Sequence, residues 1–179
     1  MLPRFGRYRG TAPNINWDMT GTGTEGAVPT HGHHHGRIVV GVDGSESSKD
    51  ALKWAAHQAE LTGASLEAVI TWEISSNSLG FEVPIPADFD PRAIAKQTLE
   101  ETIGKALGKG GEPHIVALVV EGQAARSLLD AAKGAELLVV GSRGHGPFAG
   151  ALLGSVSAYC AAHSTCPVVV VRHQGDEPA

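Results

Sequence analysis

From residue 37 onward, short runs of β-branched residues alternate with longer Ala- and Leu-rich stretches at helical spacing. This alternation predicts parallel strands joined by right-handed helical crossovers. Residues 37–42 (RIVVGV) are apolar at nearly every position, which is typical of a central strand buried on both faces. We therefore expect a single α/β domain with a doubly wound parallel sheet and helices on both faces.

Capping residues indicate where the helices begin and end. Ser45 or Ser47 is the expected N-cap of the first helix and Gly63 its end, and Asp90 followed by Pro91 opens the second. The predicted strands are 37–42, 65–72, 114–120, 136–140 and 167–172. The first two predicted helices end at residue 63 and at about residue 107. The other two predicted helices span residues 123–133 and 155–163. Residues 73–89 are long enough for a lid over a site.

Residues 1–36 show neither strand nor helix periodicity and are rich in Gly, Thr and His. This composition predicts a disordered tail ahead of a domain over residues 37–179. Within the tail, His31, His33, His34 and His35 could share a transition-metal ion. A metal site needs a fixed geometry that a mobile tail lacks, so a solvated, tag-like tract is the favoured interpretation and no metal site is predicted.

The overall charge and apolar content exclude several classes of partner. A net charge of −5 gives no basic field for nucleic acid or anionic membranes. No apolar run approaches the roughly 20 residues of a membrane-spanning helix, and the N-terminus lacks the apolar core of a signal peptide. Cys160 and Cys166 are too few for a secreted disulfide scaffold, and a small buried hydrophobe is the better interpretation of each. We expect a cytoplasmic protein.

Ligands of such sheets bind beyond the carboxyl ends of the strands, where two segments stand out. Residues 42–45 follow the first strand, and the glycine-rich residues 141–146 follow the fourth. A glycine loop that leads into a helix can direct several N–H groups at one phosphate, and side chains at Gly141 and Gly144 would block its approach. The alternative is that these glycines turn the chain and Ser155 caps the last helix. Neither a Walker motif nor a complete Rossmann fingerprint is present.

The glycine spacing resembles the nucleotide motif of the universal stress protein family. Two residues separate Gly141 from Gly144, and nine residues separate Gly144 from Gly154, which Ser155 follows. The resemblance extends through VGVDGS at 40–45, EGQAARSLLDAA at 121–132, LLVVGSRGHG at 137–146 and GSVSAYCAAHSTCPVVVVR at 154–172. It covers about residues 37–172.

This resemblance implies a sheet of five parallel strands in the order 3-2-1-4-5. It also implies a role in the stress response, with ATP bound together with Mg²⁺ or Mn²⁺ by members that carry the full motif. Some relatives favour cyclic AMP instead, which stays open as an alternative ligand.

Roles carried over from the family fall on residues at both loops. Asp43 would contact the nucleoside, where ribose hydroxyls or the adenine amine can donate to it, or alternatively cap the first helix. Trp72 would lie against the adenine, or alternatively be a core aromatic. The expected phosphate path is flanked by Ser142, Arg143, His145 and Ser157. The predicted binding set is Val42, Asp43, Trp72, Gly141, Arg143, Gly144, Gly154, Ser155, Val156 and Ser157.

No catalytic residue is predicted, because the sequence shows no confident acid to hold a metal or position a water for hydrolysis. The expected role is to hold the nucleotide as a signal, with a slow ATPase as an alternative. Residues 167–172 are expected to be an edge strand with four consecutive valines. The family commonly pairs this strand antiparallel with its twin, which implies a homodimer.

Overall fold

The computed structural model describes residues 36–73, 89–108, 115–144 and 153–173, together with the backbone of residues 15–17. Its strands are β1 (Ile15–Trp17), β2 (Arg37–Gly41), β3 (Ser65–Trp72), β4 (Ile115–Glu121), β5 (Leu137–Gly141) and β6 (Val168–Val171). Its helices are α1 (Glu46–Thr62), α2 (Pro91–Leu107), α3 (Ala124–Ala131) and α4 (Ser155–His163). Every strand and helix predicted after residue 36 is present, with bounds within two residues of the prediction.

The strands form one parallel sheet in the order β1-β4-β3-β2-β5-β6. Without β1, this is the predicted five-stranded order 3-2-1-4-5, which is confirmed. The additional strand β1 lies along the outer edge of β4, a pairing that the prediction of a disordered tail did not include. The rest of residues 1–35, with the histidine tract, and residues 74–88 of the predicted lid lie outside the described residues.

The helix caps follow the sequence signals. Ser45 is the N-cap of α1 and accepts a hydrogen bond from Ser48 N at 3.2 Å, while Gly63 ends the helix with a φ of 71°. Asp90 caps α2 by accepting from Ala93 N at 3.0 Å, and Pro91 fills the first turn, where no N–H is needed. Of the two serines considered for α1, Ser45 is therefore the cap, and Ser47 is buried in the first turn.

Two apolar layers lie on opposite faces of the sheet. One contains alternate strand residues, such as Val40 and Ala68, packed against α1 and α2. The other contains the intervening residues, such as Val39 and Val69, packed against α3 and α4. Residues of one strand therefore alternate between the two layers. Among the described helices, none combines the length and apolar character needed to cross a membrane.

Candidate functional site

A cleft of about 210 Å³ opens at the carboxyl ends of β2 and β5. These two strands are neighbours, and β2 pairs with β3 on its other side. The chain therefore leaves β2 toward one edge of the sheet and later returns on the other side, which creates the switch point where such sheets bind ligands. The cleft is lined by Gly41, Val42, Asp43, Ser48, Val69, Thr71, Ala124, Leu128, Val140, Gly141, Arg143, Gly144, Gly154, Ser155, Val156 and Ser157.

The turn between β2 and α1 is held by short polar contacts around Asp43. Asp43 Oδ1 accepts hydrogen bonds from Ser45 N at 3.0 Å and from Ser45 Oγ at 2.6 Å. Ser48 Oγ donates to Ser45 O at 2.9 Å and lies 3.4 Å from Asp43 N. The alternative that Asp43 caps α1 is wrong, because Ser45 occupies that position. Asp43 instead orients the cap from outside the helix, with its own side chain exposed.

The carboxylate of Asp43 reaches across the cleft to the glycine loop after β5. A Cβ atom on Gly144 would overlap Asp43 Oδ2 and lie 3.5 Å from Asp43 Cγ. Glycine at position 144 thus lets the two loops of the switch point approach each other. The sequence interpretation assigned this space to a phosphate, whereas the structure places the carboxylate there.

Packing against α1 accounts for the glycine at position 141. A Cβ atom on Gly141 would lie 2.7 Å from Ser47 Oγ and 2.8 Å from the Ser47 carbonyl carbon, closer than Cβ atoms approach in real proteins. Packing against Ser47 is therefore one reason for glycine at position 141. Its backbone lines the cleft, and the expected approach of a phosphate there stays a prediction. Ser47 Oγ is also within hydrogen-bond distance of Ser142 Oγ and Val171 O, both at 3.3 Å. It thereby ties α1 to the ends of β5 and β6.

Gly154 has no comparable steric reason to be glycine. A Cβ atom there would meet Ser142 O at 3.4 Å, Arg143 Cα at 3.5 Å and Ser157 Oγ at 3.7 Å, which are ordinary van der Waals distances. Its φ of −70° and ψ of 162° are also open to any residue. The fold would therefore accept a methyl group at this position.

Three hydrogen bonds close the base of the loop between Gly144 and Gly154. Gly154 N donates to Ser142 O at 2.7 Å, and Ser157 Oγ lies 2.9 Å from the same oxygen and 3.0 Å from Gly154 O. A serine hydroxyl has one proton, and Ser157 donates it to these carbonyl oxygens. Ser157 is only 2% exposed, so its role in the structure is to hold the start of α4 against Ser142.

The first turn of α4 borders the cleft. Its N-cap is Gly154, which has no side chain to accept the first N–H groups, and Ser155 is the first helical residue. The alternative that Ser155 caps this helix is therefore wrong by one position. The positive end of the helix dipole and the exposed Ser155 hydroxyl lie at the rim of the cleft.

The structure brings together nine of the ten predicted binding residues, and Trp72 is the exception. Trp72 packs against the layer formed with α1 and α2, on the far face of the sheet from the cleft. The reason is the strict alternation of side chains along β3, which turns Val69 and Thr71 toward the cleft and Trp72 away. Its alternative role as a core aromatic is the one observed.

Sequence reasoning missed the apolar wall of the cleft. Leu128 of α3 reaches it because β2 has glycine at position 41, where a Cβ atom would lie 2.9 Å from Leu128 Cδ1. Val69, Thr71 and Ala124 complete this wall. Alternation along β3 could have identified Val69 and Thr71, provided that the face covered by α3 and α4 was known.

No group of three or more His, Cys, Asp or Glu side chains in the described ranges is arranged to hold a metal ion. Asp43 is the one acidic side chain among the described residues that line the cleft. Within the described part of the chain, Asp43 is therefore the one carboxylate of the cleft lining that a cation could take as a ligand.

Comparison with known proteins assigns the chain to a family. The model of the universal stress protein family matches residues 34–172. The chain belongs to the universal stress protein family. The universal stress protein Rv2623 of Mycobacterium tuberculosis is 33% identical over 145 residues, which cover 76% of this chain and 48% of Rv2623. This universal stress protein chain thus spans about half the length of the curated relatives it matches.

Solved structures of the same family share the fold. A universal stress protein in complex with cAMP is 30% identical, with a TM-score of 0.57 over 77% of this chain and 97% of that one. UspA from Lactobacillus plantarum has a TM-score of 0.63 at 23% identity, over 79% of this chain and 100% of that one. The second likeness supports the fold alone.

Proposed function

We propose that this protein binds an adenine nucleotide, ATP, in the cleft between β2 and β5 and holds it as a signal in the stress response. The observation that carries the proposal is the convergence of two chemically different rims on one cleft. One rim is the Gly154–Ser155 turn at the positive end of α4, and the other is the Asp43 carboxylate. Phosphates suit the first rim, and ribose hydroxyls or the adenine amine suit the second.

The position of Asp43 sets the direction of the nucleotide. Its carboxylate lies beside Gly144, so a phosphate at Gly144 would meet a like charge. The phosphates therefore extend toward Gly154 and Ser155, and the nucleoside lies against Asp43, Thr71 and the apolar wall. Mg²⁺ or Mn²⁺ would accompany ATP, held mainly by phosphate oxygens and water.

Cyclic AMP is the second candidate, favoured by the 30% identical neighbour that was crystallised with it. Calorimetric titration of the full chain with ATP, with and without Mg²⁺, and with cyclic AMP separates the two. ATP as ligand predicts an affinity that depends on Mg²⁺, whereas a cyclic monophosphate needs no metal. Absence of binding by ATP together with metal-independent binding of cyclic AMP would overturn the choice of ATP.

We further propose that ATP is held with little or no turnover. Asp43, the acidic side chain at the described rim, already accepts two hydrogen bonds from Ser45. Hydrolysis needs a group that positions the water and a clamp on the developing charge. Phosphate release that exceeds the uncatalysed rate and disappears in Asp43→Asn would instead establish the slow ATPase alternative.

Finally, we propose a homodimer through β6. Ser142 N donates to Val171 O at 2.7 Å and Leu138 N to Pro167 O at 3.0 Å, so the backbones of these alternate residues face β5. The backbone groups of Val168 and Val170 therefore point outward from the sheet. Val170→Pro removes an outward N–H and should give a monomeric mass by light scattering at micromolar concentration, whereas Val170→Ala should remain dimeric. A monomeric wild-type chain would refute the homodimer.

A further inference from the structure

The N-terminal strand β1 occupies one of the two edges of the sheet. It pairs in parallel with β4, with Ile15 opposite Ile115, Asn16 opposite Val116 and Trp17 opposite Ala117. The opposite edge is β6. We propose that residues 15–17 are a built-in cover for the β4 edge, which prevents β4 from pairing with a second chain and leaves β6 as the edge for self-association.

The direction of the β4 backbone supports this pairing. Gly122 N donates to Trp72 O at 2.9 Å, so the backbone groups of residue 122 face β3. Because successive residues of a strand turn their N–H and C=O groups to opposite sides, Val116 and Leu118 also face β3, whereas Ile115 and Ala117 face outward. In the observed register, Asn16 is the residue of β1 that turns its own N–H and C=O toward Ile115 and Ala117.

The composition of β4 explains why its edge needs a cover. Its first six residues, IVALVV, are all apolar, and a charged residue first occurs at Glu121. An uncharged segment of this length with high β-propensity and no proline is a template for pairing with other chains. The strand has neither of the usual protections, a lysine or a proline on the edge.

The chain between β1 and β2 is long enough for the cover to come from the same molecule. In the sheet register, Trp17 is level with Val40, three residues above Arg37 and three strands away. This separation is about 10 Å along the strands and about 14 Å across them. The nineteen residues 18–36 can extend to about 60 Å, so pairing within one molecule is geometrically easy.

The test uses the full chain with Asn16→Pro, which lacks the N–H that faces β4, and Asn16→Ala as the matched control, which keeps it. Hydrogen exchange is measured at Ala117, whose amide faces β1, and at Leu118, whose amide faces β3. We expect exchange at Ala117 to rise about tenfold or more in Asn16→Pro while Leu118 stays protected. We also expect additional association in light scattering that persists when Val170→Pro is added on β6.

Equal exchange at Ala117 in the proline and alanine variants would show that β1 does not cover the edge. Faster exchange without additional association would show that the cover does not control self-association. A chain that lacks residues 1–20 is the second variant and should behave like Asn16→Pro. Adding a synthetic peptide of residues 11–20 to this chain should restore protection of Ala117 and reverse the association, and failure to do either would contradict the proposal.

Discussion

The carboxylate of Asp43 occupies the space that a side chain on Gly144 would need, although 100 residues lie between the two in sequence. The loop after β2 and the loop after β5 therefore interlock at the switch point of the sheet. A substitution at either residue should therefore displace the other and change the shape of the cleft rim.

Gly144→Ala is expected to weaken nucleotide binding about tenfold, because the new methyl group must displace the Asp43 carboxylate from its position at the rim of the cleft. A lost hydrogen bond to a charged group costs about 1.5–3 kcal/mol. Titration calorimetry with ATP and Mg²⁺ measures the effect. Gly104→Ala is the matched control, since a Cβ atom at Gly104 on the exposed side of α2 meets nothing within 4 Å. Unchanged affinity in Gly144→Ala would show that the Asp43–Gly144 contact does not contribute to nucleotide binding.

Gly141→Ala is expected to destabilise the fold itself by about 1–3 kcal/mol, because its methyl group would overlap backbone atoms of Ser47 that cannot rotate away. The free energy of unfolding in urea measures this cost. Truncation of Ser47 to alanine should not restore stability, since the Ser47 carbonyl carbon stays in place. A variant as stable as the wild type would show that α1 can shift without cost.

Gly154→Ala, unlike Gly141→Ala, is expected to leave the stability of the fold within about 1 kcal/mol of the wild type. The space around Gly154 and its backbone angles accept alanine at the N-cap. Its methyl group would line the cleft at the start of α4, where the phosphates are proposed to bind, so affinity for ATP should fall. Thermal unfolding and calorimetry measure the two effects separately. Loss of stability without loss of affinity would assign Gly154 to the fold alone.

The contrast among these glycines shows what the sequence could and could not predict. Local signals set the helix bounds, because Ser45 with Gly63 and Asp90 with Pro91 act within one turn of the residues they cap. The atoms that require Gly141 and Gly144 belong to Ser47 and Asp43, about a hundred residues away, and no spacing rule identifies them. The family resemblance places Trp72 at the adenine, whereas the structure has Thr71 at the cleft. Side-chain alternation separates the two residues onto opposite faces but does not identify the face with the cleft. The pairing of β1 depends on the open edge of β4, which tail composition does not reveal.

The pH dependence of stability should include a contribution from Asp50, which lies 2.6 Å from His173 Nδ1 and 3.0 Å from Lys53 Nζ. Burial acts to raise the pKa of Asp50, but the hydrogen bonds from His173 and Lys53 outweigh it and lower the pKa below its usual value. A carboxyl whose pKa is lower in the folded state stabilises the fold above its unfolded pKa of about 4 and loses that effect at lower pH.

The stability difference between the wild type and Asp50→Asn should therefore be present at pH 6 and shrink as the pH falls below about 4. Urea unfolding across this range measures it. Asp130→Asn is the control, because Asp130 is an exposed partner of Lys133 and such pairs contribute little. A difference that grew on acidification would contradict the sign argued for Asp50.

The two cysteines should differ in reactivity. Cys160 is fully buried, as predicted for a small hydrophobe, whereas the same prediction for Cys166 is wrong because its side chain is half-buried. Burial raises the pKa of the Cys160 thiol to about 11. Since the thiolate is the reactive form, an alkylating reagent at pH 8 should modify the half-buried Cys166 in the folded protein and Cys160 only after unfolding. Peptide mass spectrometry identifies the modified residue, and comparable labelling of both thiols in the folded state would contradict this packing.

Titration of the isotopically labelled full chain with ATP and Mg²⁺, followed by amide NMR, tests the central claim most directly. Binding in the cleft predicts that the largest shift changes occur at the amides of Asp43, Gly141, Gly144, Gly154 and Ser155. Far smaller changes are expected at Gly104 on the exposed side of α2. Saturable changes that cluster elsewhere, or no change at millimolar ATP and no change with cyclic AMP, would contradict the proposal that this cleft holds an adenine nucleotide.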